Sequence, residues 1–271
     1  MKPNQLTSLK IGVAVIFLTL YSTCHSQPLS SLGAESHGLS SIRFGLQNVW
    51  STFNNPCDMH TDSMLSIGLS AHRLYGISEL KSATLSALYT IKHTAIGGYY
   101  HYFGYSVSHS SQIGLSTSRN LTDRFTLGVG VRLSSFQVID ASRNRQFSVA
   151  VSSNNQLQHN KTLYFLFENR LPNNSTATTT NLFAGISFQL NTQVKWLNQL
   201  KVNPESRASL QSGIRYQLSD EIVLLSGLNT MPSSLSFGCA IKLPKIKITL
   251  AFSTHQVLGF TPTLSSEWPN L

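Results

Sequence analysis

Apolar side chains recur at every second position through most of this chain. The clearest run sets Phe125, Leu127, Val129, Val131 and Leu133 against Thr126, Gly128, Gly130, Arg132 and Ser134. A period of two sends successive side chains to opposite faces of a strand, so the run predicts a strand with one oily and one polar face. The same sorting sets Leu65, Ile67, Leu69 and Ala71 against Ser66, Gly68, Ser70 and His72. It returns over 147–152, 182–190 and 210–218. Two closing arms over 235–243 and 246–253 flank a turn at Pro244 and Lys245, where a ladder tolerates proline.

Less regular strands are expected over 83–92, 95–106, 112–118, 161–168, 192–200 and 221–227. Turn-like clusters separate them at Ser118-Arg119-Asn120, Asn154-Asn155, Pro172-Asn173-Asn174-Ser175 and Asn203-Pro204-Glu205. The total is about twelve to fourteen strands, with short turns on one side and longer loops on the other, which is the plan of an all-β, antiparallel transmembrane β-barrel.

The first residues carry Lys2 and Lys10, then an apolar stretch over 11–20, then Ser22, Thr23 and Ser26. This is the layout of a signal peptide over 1–26, with an apolar core too short to cross a bilayer as a helix. Lipid attachment through Cys24 is the weaker reading, because Tyr21 and Thr23 fit such a site poorly. No later stretch reaches the ~20 apolar residues of a membrane helix, so a membrane would be crossed by strands. Residues 27–62 alternate weakly and are rich in Gly, Ser, Asn and Pro; one strand is expected over 39–46, with the regular barrel over 63–271.

Only 11% of the residues are charged, against roughly 25% in soluble domains. A barrel needs an uncharged outer band facing lipid; the alternative is a secreted β-sandwich binding module with a Ser/Thr/Asn-rich surface. The polar face separates the two. Water-facing strands often carry Lys or Glu, whereas here Gly, Ser, Ala, Thr and Gln dominate, and small residues suit a confined lumen that something else partly fills. The net charge of +9 is scattered, with no Lys/Arg run interleaved with aromatics, which argues against nucleic acid. Outer-membrane lipid is the partner this pattern suits.

Little else points to chemistry. Cys57 and Cys239 are expected as two unpaired thiols. His93, His101 and His109 are spaced eight apart, which spreads them over strands and turns as rim histidines; no metal site follows. Tyr99, Tyr100, Tyr102, Phe103 and Tyr105 suggest an interfacial girdle. Ser253 and His255 share a strand face, but no catalytic residue and no cofactor are assigned. Arg132, Glu168, Arg215 and Lys242 fall on the lumen face. They are expected to form an internal ion-pair set, with the guiding of an anionic solute as the alternative.

Two separated stretches carry a family resemblance. Gly33-Ala34-Glu35-Ser36-His37-Gly38 is followed by Asn48-Val49-Trp50-Ser51-Thr52-Phe53-Asn54-Asn55-Pro56. Near the end come 207–216, 225–232, Ser236-Phe237-Gly238 and 251–259, the last holding His255-x-x-Leu258-Gly259. They resemble a family of Bacteroidetes outer-membrane β-barrels related to the long-chain fatty acid transporter barrels, some of which serve the type IX secretion system. Trp50, Asn55, Pro56, His255 and Gly259 are the signature positions. Cys57 stands where the family has a small Ala, Asn48 replaces the common Asp, and the chain stops at Trp268-Pro269-Asn270-Leu271 without a clear terminal strand. The resemblance implies a non-enzymatic barrel with its N-terminal segment in or under the lumen. It also implies a hydrophobic solute, or secretion-system or surface proteins, as partners.

Overall fold

A computed structural model describes residues 31–139, 143–171, 179–204, 206–255 and 258–269. The expected signal peptide and the turn at 172–175 lie outside them. Fourteen antiparallel strands form a closed barrel. In chain order they are β1 (Leu65–Arg73), β2 (Lys81–Ile91), β3 (Thr94–Gly104), β4 (Ser108–Thr122), β5 (Phe125–Val138), β6 (Asn144–Gln158) and β7 (Lys161–Leu171). There follow β8 (Thr179–Gln189), β9 (Val194–Asn203), β10 (Ser206–Gln217), β11 (Ile222–Thr230), β12 (Ser233–Lys242), β13 (Lys247–His255) and β14 (Gly259–Pro269). Every strand pairs with its sequence neighbours, and β14 returns to β1 with Ile67 opposite Trp268 and His72 opposite Thr263. The last residues therefore supply the closing strand, correcting the expectation that the chain lacks one. Closure leaves no sheet edge, and the two-sheet sandwich is excluded.

The burial pattern is that of a membrane protein, oily outside and polar within. Leu115 is 63% exposed and Phe237 54%, whereas Ser236 and Thr249 on the inner face are wholly buried. Where the alternation sorted faces, as along β1, β5 and β12, the apolar positions lie outward and the small or polar ones inward.

Turn positions differ from expectation in two places. Ser118-Arg119-Asn120 lie within β4 and Asn154-Asn155 within β6, with the turns falling later, at Asp123-Arg124 and His159-Asn160. Polar residues near the rim continue the ladder beyond the apolar band, with irregular register at Asn120/Thr122 and Gln156/Gln158. Neither rim carries long loops: no connection between strands exceeds seven residues.

The described residues 31–62 fold inside the barrel. They contain two short helices, α1 (Ala34–Gly38) and α2 (Ser51–Asn54), and a single 3-10 turn at Pro56–Asp58. The strand expected over 39–46 does not form. Ser40, Ser41 and Gly45 have φ of 55°, 65° and 71°, which bends the chain out of the extended region. Ser41 N donates instead to Ser36 O at 2.8 Å. Moreover, a closed barrel offers no edge for another strand to join.

Candidate functional site: the filled lumen

The inner wall and the plug explain each other's composition. A buried segment without regular structure must find partners for its backbone groups. Wall hydroxyls supply them: Ser116 Oγ donates to Thr52 O at 2.7 Å and Ser86 Oγ to Val49 O at 3.0 Å. Likewise Cys57 N donates to Ser152 Oγ at 2.9 Å and Ala34 N to Ser265 Oγ at 3.2 Å. Glycines supply clearance. A Cβ at Gly128 would collide with Pro56 and Cys57, and one at Gly185 with the Phe44 ring. The small, hydroxyl-rich face is thus the surface against which 31–62 pack.

Charge fixes the plug at two levels. The end of the barrel where β1 begins is here the proximal end. Close to it, buried Glu35 of α1 accepts from Arg215 Nε on β10 at 3.0 Å and is paired with Lys247 Nζ at the start of β13. Lys247 also lies 3.3 Å from Glu267 of β14, and Glu267 accepts from Trp50 Nε1 at 3.1 Å. Asn48 Nδ2 completes the group, donating to Glu35 Oε2 at 3.2 Å. Two carboxylates face two cations, and each has a partner.

Near mid-barrel, Glu168 of β7 is gripped by Arg132 Nη1 of β5 at 2.6 Å and by the plug's Arg43 Nη2 at 2.7 Å. Both guanidiniums also donate to Phe53 O, at 2.7 and 2.8 Å, and both lie over the Phe53 ring at 4.3 and 5.0 Å. Charge, hydrogen bonds and cation–π contact therefore converge on one plug residue.

A further group of plug contacts surrounds Asp58, which accepts from Gly45 N at 2.7 Å and Asn55 Nδ2 at 2.8 Å. Lys195 Nζ donates to Gly45 O at 2.7 Å.

Of the charges picked from sequence, Arg132 and Glu168 meet directly, and Arg215 meets Glu35. Lys242 does not join them: it ends β12 at the rim, opposite Lys247, which takes the position inside the cluster. Among the signature positions, Trp50 holds Glu267, Asn55 holds Asp58, and Pro56 opens the 3-10 turn against Gly128. His255 and Gly259 flank the last hairpin turn, where Gly259 takes a φ of 92°.

Two other expectations need correction. His101 is no rim histidine but is buried on the inner wall, its Nδ1 2.7 Å from Thr84 Oγ1, its ring 6.3 Å from that of His72. The aromatic run is not a girdle throughout, because alternation splits it. Tyr100 faces outward, 48% exposed, whereas Tyr99 points inward and packs edge-on to Phe53 at 5.3 Å. Cys57 and Cys239 are both free. Sequence reasoning gave no role to Glu35, Arg43, Asp58, Lys247 or Glu267. The unpaired cations on the lumen face were the available signal, since buried charges require counter-charges from whatever fills the space.

No protein-family model and no curated protein matches the chain. Solved structures do. It is similar to the CymD monoaromatic hydrocarbon channel, with TM-score 0.65 and 13% identity over 90% of this chain and 99% of the other. The Ralstonia pickettii toluene transporter TbuX gives TM-score 0.64 and 11% identity, over 90% and 99%. A Pseudomonas aeruginosa FadL homologue gives 0.65 and 13%, over 89% and 99%. At this identity the likeness is one of fold: the chain has the architecture of the FadL-type outer-membrane barrels.

Proposed function

We propose that this protein is a non-enzymatic outer-membrane barrel of the fatty-acid-transporter type that admits a hydrophobic solute, with residues 31–62 acting as its gate. The observation that carries this reading is the plug itself. It fills a barrel whose outer band suits lipid, and ion pairs at two levels fasten it to the wall. A gate of this kind holds ions back at rest and lets solute pass when it shifts. The hydrocarbon channels and toluene transporters of like fold support the solute class. The test is uptake of radiolabelled toluene into proteoliposomes. Wild-type vesicles are expected to load faster than protein-free ones, and equal rates would remove the transport reading.

The filled, polar-walled lumen also favours a second reading, a secretion-associated barrel that holds partner proteins, in line with the resemblance to a family of which some members serve the type IX secretion system. Affinity capture from outer-membrane extracts separates the two. Reproducible recovery of secretion-system components, without solute uptake, selects the second. Heat-dependent gel migration and recovery in the outer-membrane fraction test the location common to both.

A further inference from the structure

The outer face of the barrel breaks its own pattern beside the first hairpin. Arg73 ends β1 and Lys81 begins β2; the two are cross-strand partners, both exposed on the outward face. Like charges directly opposite each other weaken a sheet, and this pair stands on the membrane side of the wall. Among the described residues, neither side chain makes an ion pair or a hydrogen bond. The carboxylate of the hairpin turn, Glu79, is exposed and accepts from Ser78 Oγ at 2.8 Å, with Lys81 a weaker influence on it.

A groove of about 430 Å³ opens beside the pair. One row towards the proximal end, Leu250, Leu264, Ala71, Ala83 and Tyr102 stand opposite one another in turn across β13, β14, β1, β2 and β3. The two alanines leave a trough between Leu264 and Tyr102. The pairing of β1 with β14 stops at His72 and Thr263, next to Pro262, which has no N–H to donate and also lines the groove. One row further, Leu69 and Leu85 resume the oily band, 48% and 49% exposed. An apolar trough topped by two cations, with an amphipathic tyrosine at its edge, has the layout of the level at which head groups meet acyl chains. Arg offers phosphate a planar fork and Lys a point charge. We propose that this groove seats one anionic membrane phospholipid, its phosphate between Arg73 and Lys81 and an acyl chain along Ala71 and Ala83. The phosphate relieves the like-charge pair, and the chain covers the apolar surface that the alanines leave open. The site lies outside the wall and stands whatever the lumen admits.

The test is native mass spectrometry of the purified full chain in uncharged detergent, titrated with phosphatidylglycerol or with phosphatidylcholine of the same chains. Wild type is expected to retain one phosphatidylglycerol saturably and in preference to phosphatidylcholine. Arg73→Gln and Lys81→Gln should each weaken that retention about fivefold, and the double variant should lose the preference. Ala83→Phe, which fills the trough and keeps both charges, should weaken it at least as much. Lys92→Gln, in the turn at the opposite rim, should change nothing. Heat-dependent gel migration checks that each variant is folded. Equal retention of the two lipids, a preference that survives in the double variant, or retention indifferent to Ala83→Phe overturns the site. Binding of inorganic phosphate without retained phospholipid would reduce it to a contact for free anions and overturn it too.

Discussion

The two charge clusters of the lumen teach different lessons. The proximal group is neutral and every member has a partner, as a structural fastening requires, because a buried ion offsets its desolvation only when fully paired. The mid-barrel group is asymmetric. Its one carboxylate is shared by the two guanidiniums that hold Phe53, one on the plug and one on the wall. The proximal level thus fastens the plug with a closed set of pairs, whereas the mid-barrel level joins plug and wall through one shared carboxylate.

The contrast can be broken most severely at Glu168. Glu168→Ala leaves two buried guanidiniums without a counter-charge, and losses of this kind cost about 3–5 kcal/mol. Denaturant unfolding in detergent, with limited proteolysis of residues 31–62, should show both the loss and an accessible plug. Glu35→Gln should cost less, about 2–3 kcal/mol, since Lys247 keeps Glu267 and the half-buried Arg215 can reach water. A larger loss at Glu35 than at Glu168 would reverse the ranking of the two levels.

Steric fit should matter next. Gly128→Val places atoms where Pro56 and Cys57 lie, with an expected cost of about 1–3 kcal/mol read from the same unfolding curves. Trp50→Phe removes one hydrogen bond to Glu267 and should cost about 1 kcal/mol. Acid should loosen the proximal level selectively. Burial pushes the Glu35 carboxyl up, but Lys247 and Arg215 outweigh it and hold the group below its ordinary value of 4.5. Its contribution is therefore complete above pH 4.5 and lost as pH falls through the lower folded value. Proteolysis of the plug as a function of pH reads this directly, and Glu35→Gln should flatten the profile.

The barrel was legible from sequence because strand faces repeat with a fixed period. Phe125 to Ser134 could be sorted without knowing what the strand touches, and Arg132 and Glu168 were placed on the inner face by counting alone. The plug was not legible in this way. It has no period, and its path is set by left-handed residues such as Ser40 and Ser41, at which a run expected as a strand turns back. Its ion pairs join positions 125 and 180 residues apart, as in Arg43 with Glu168 and Glu35 with Arg215. Local pattern does not encode such separations. Rim positions were lost for a different reason: polar residues such as Asn154 and Asn155 resemble a turn, yet here they extend β6 beyond the apolar band.

That buried charge keeps the barrel closed is tested most directly by ion conductance in planar lipid bilayers, with wild type and Glu168→Ala recorded under the same voltage and salt. Wild type should remain closed, with Glu168→Ala showing frequent openings as the plug leaves the wall. A steadily conducting wild type, or a Glu168→Ala barrel as closed as wild type, would contradict it.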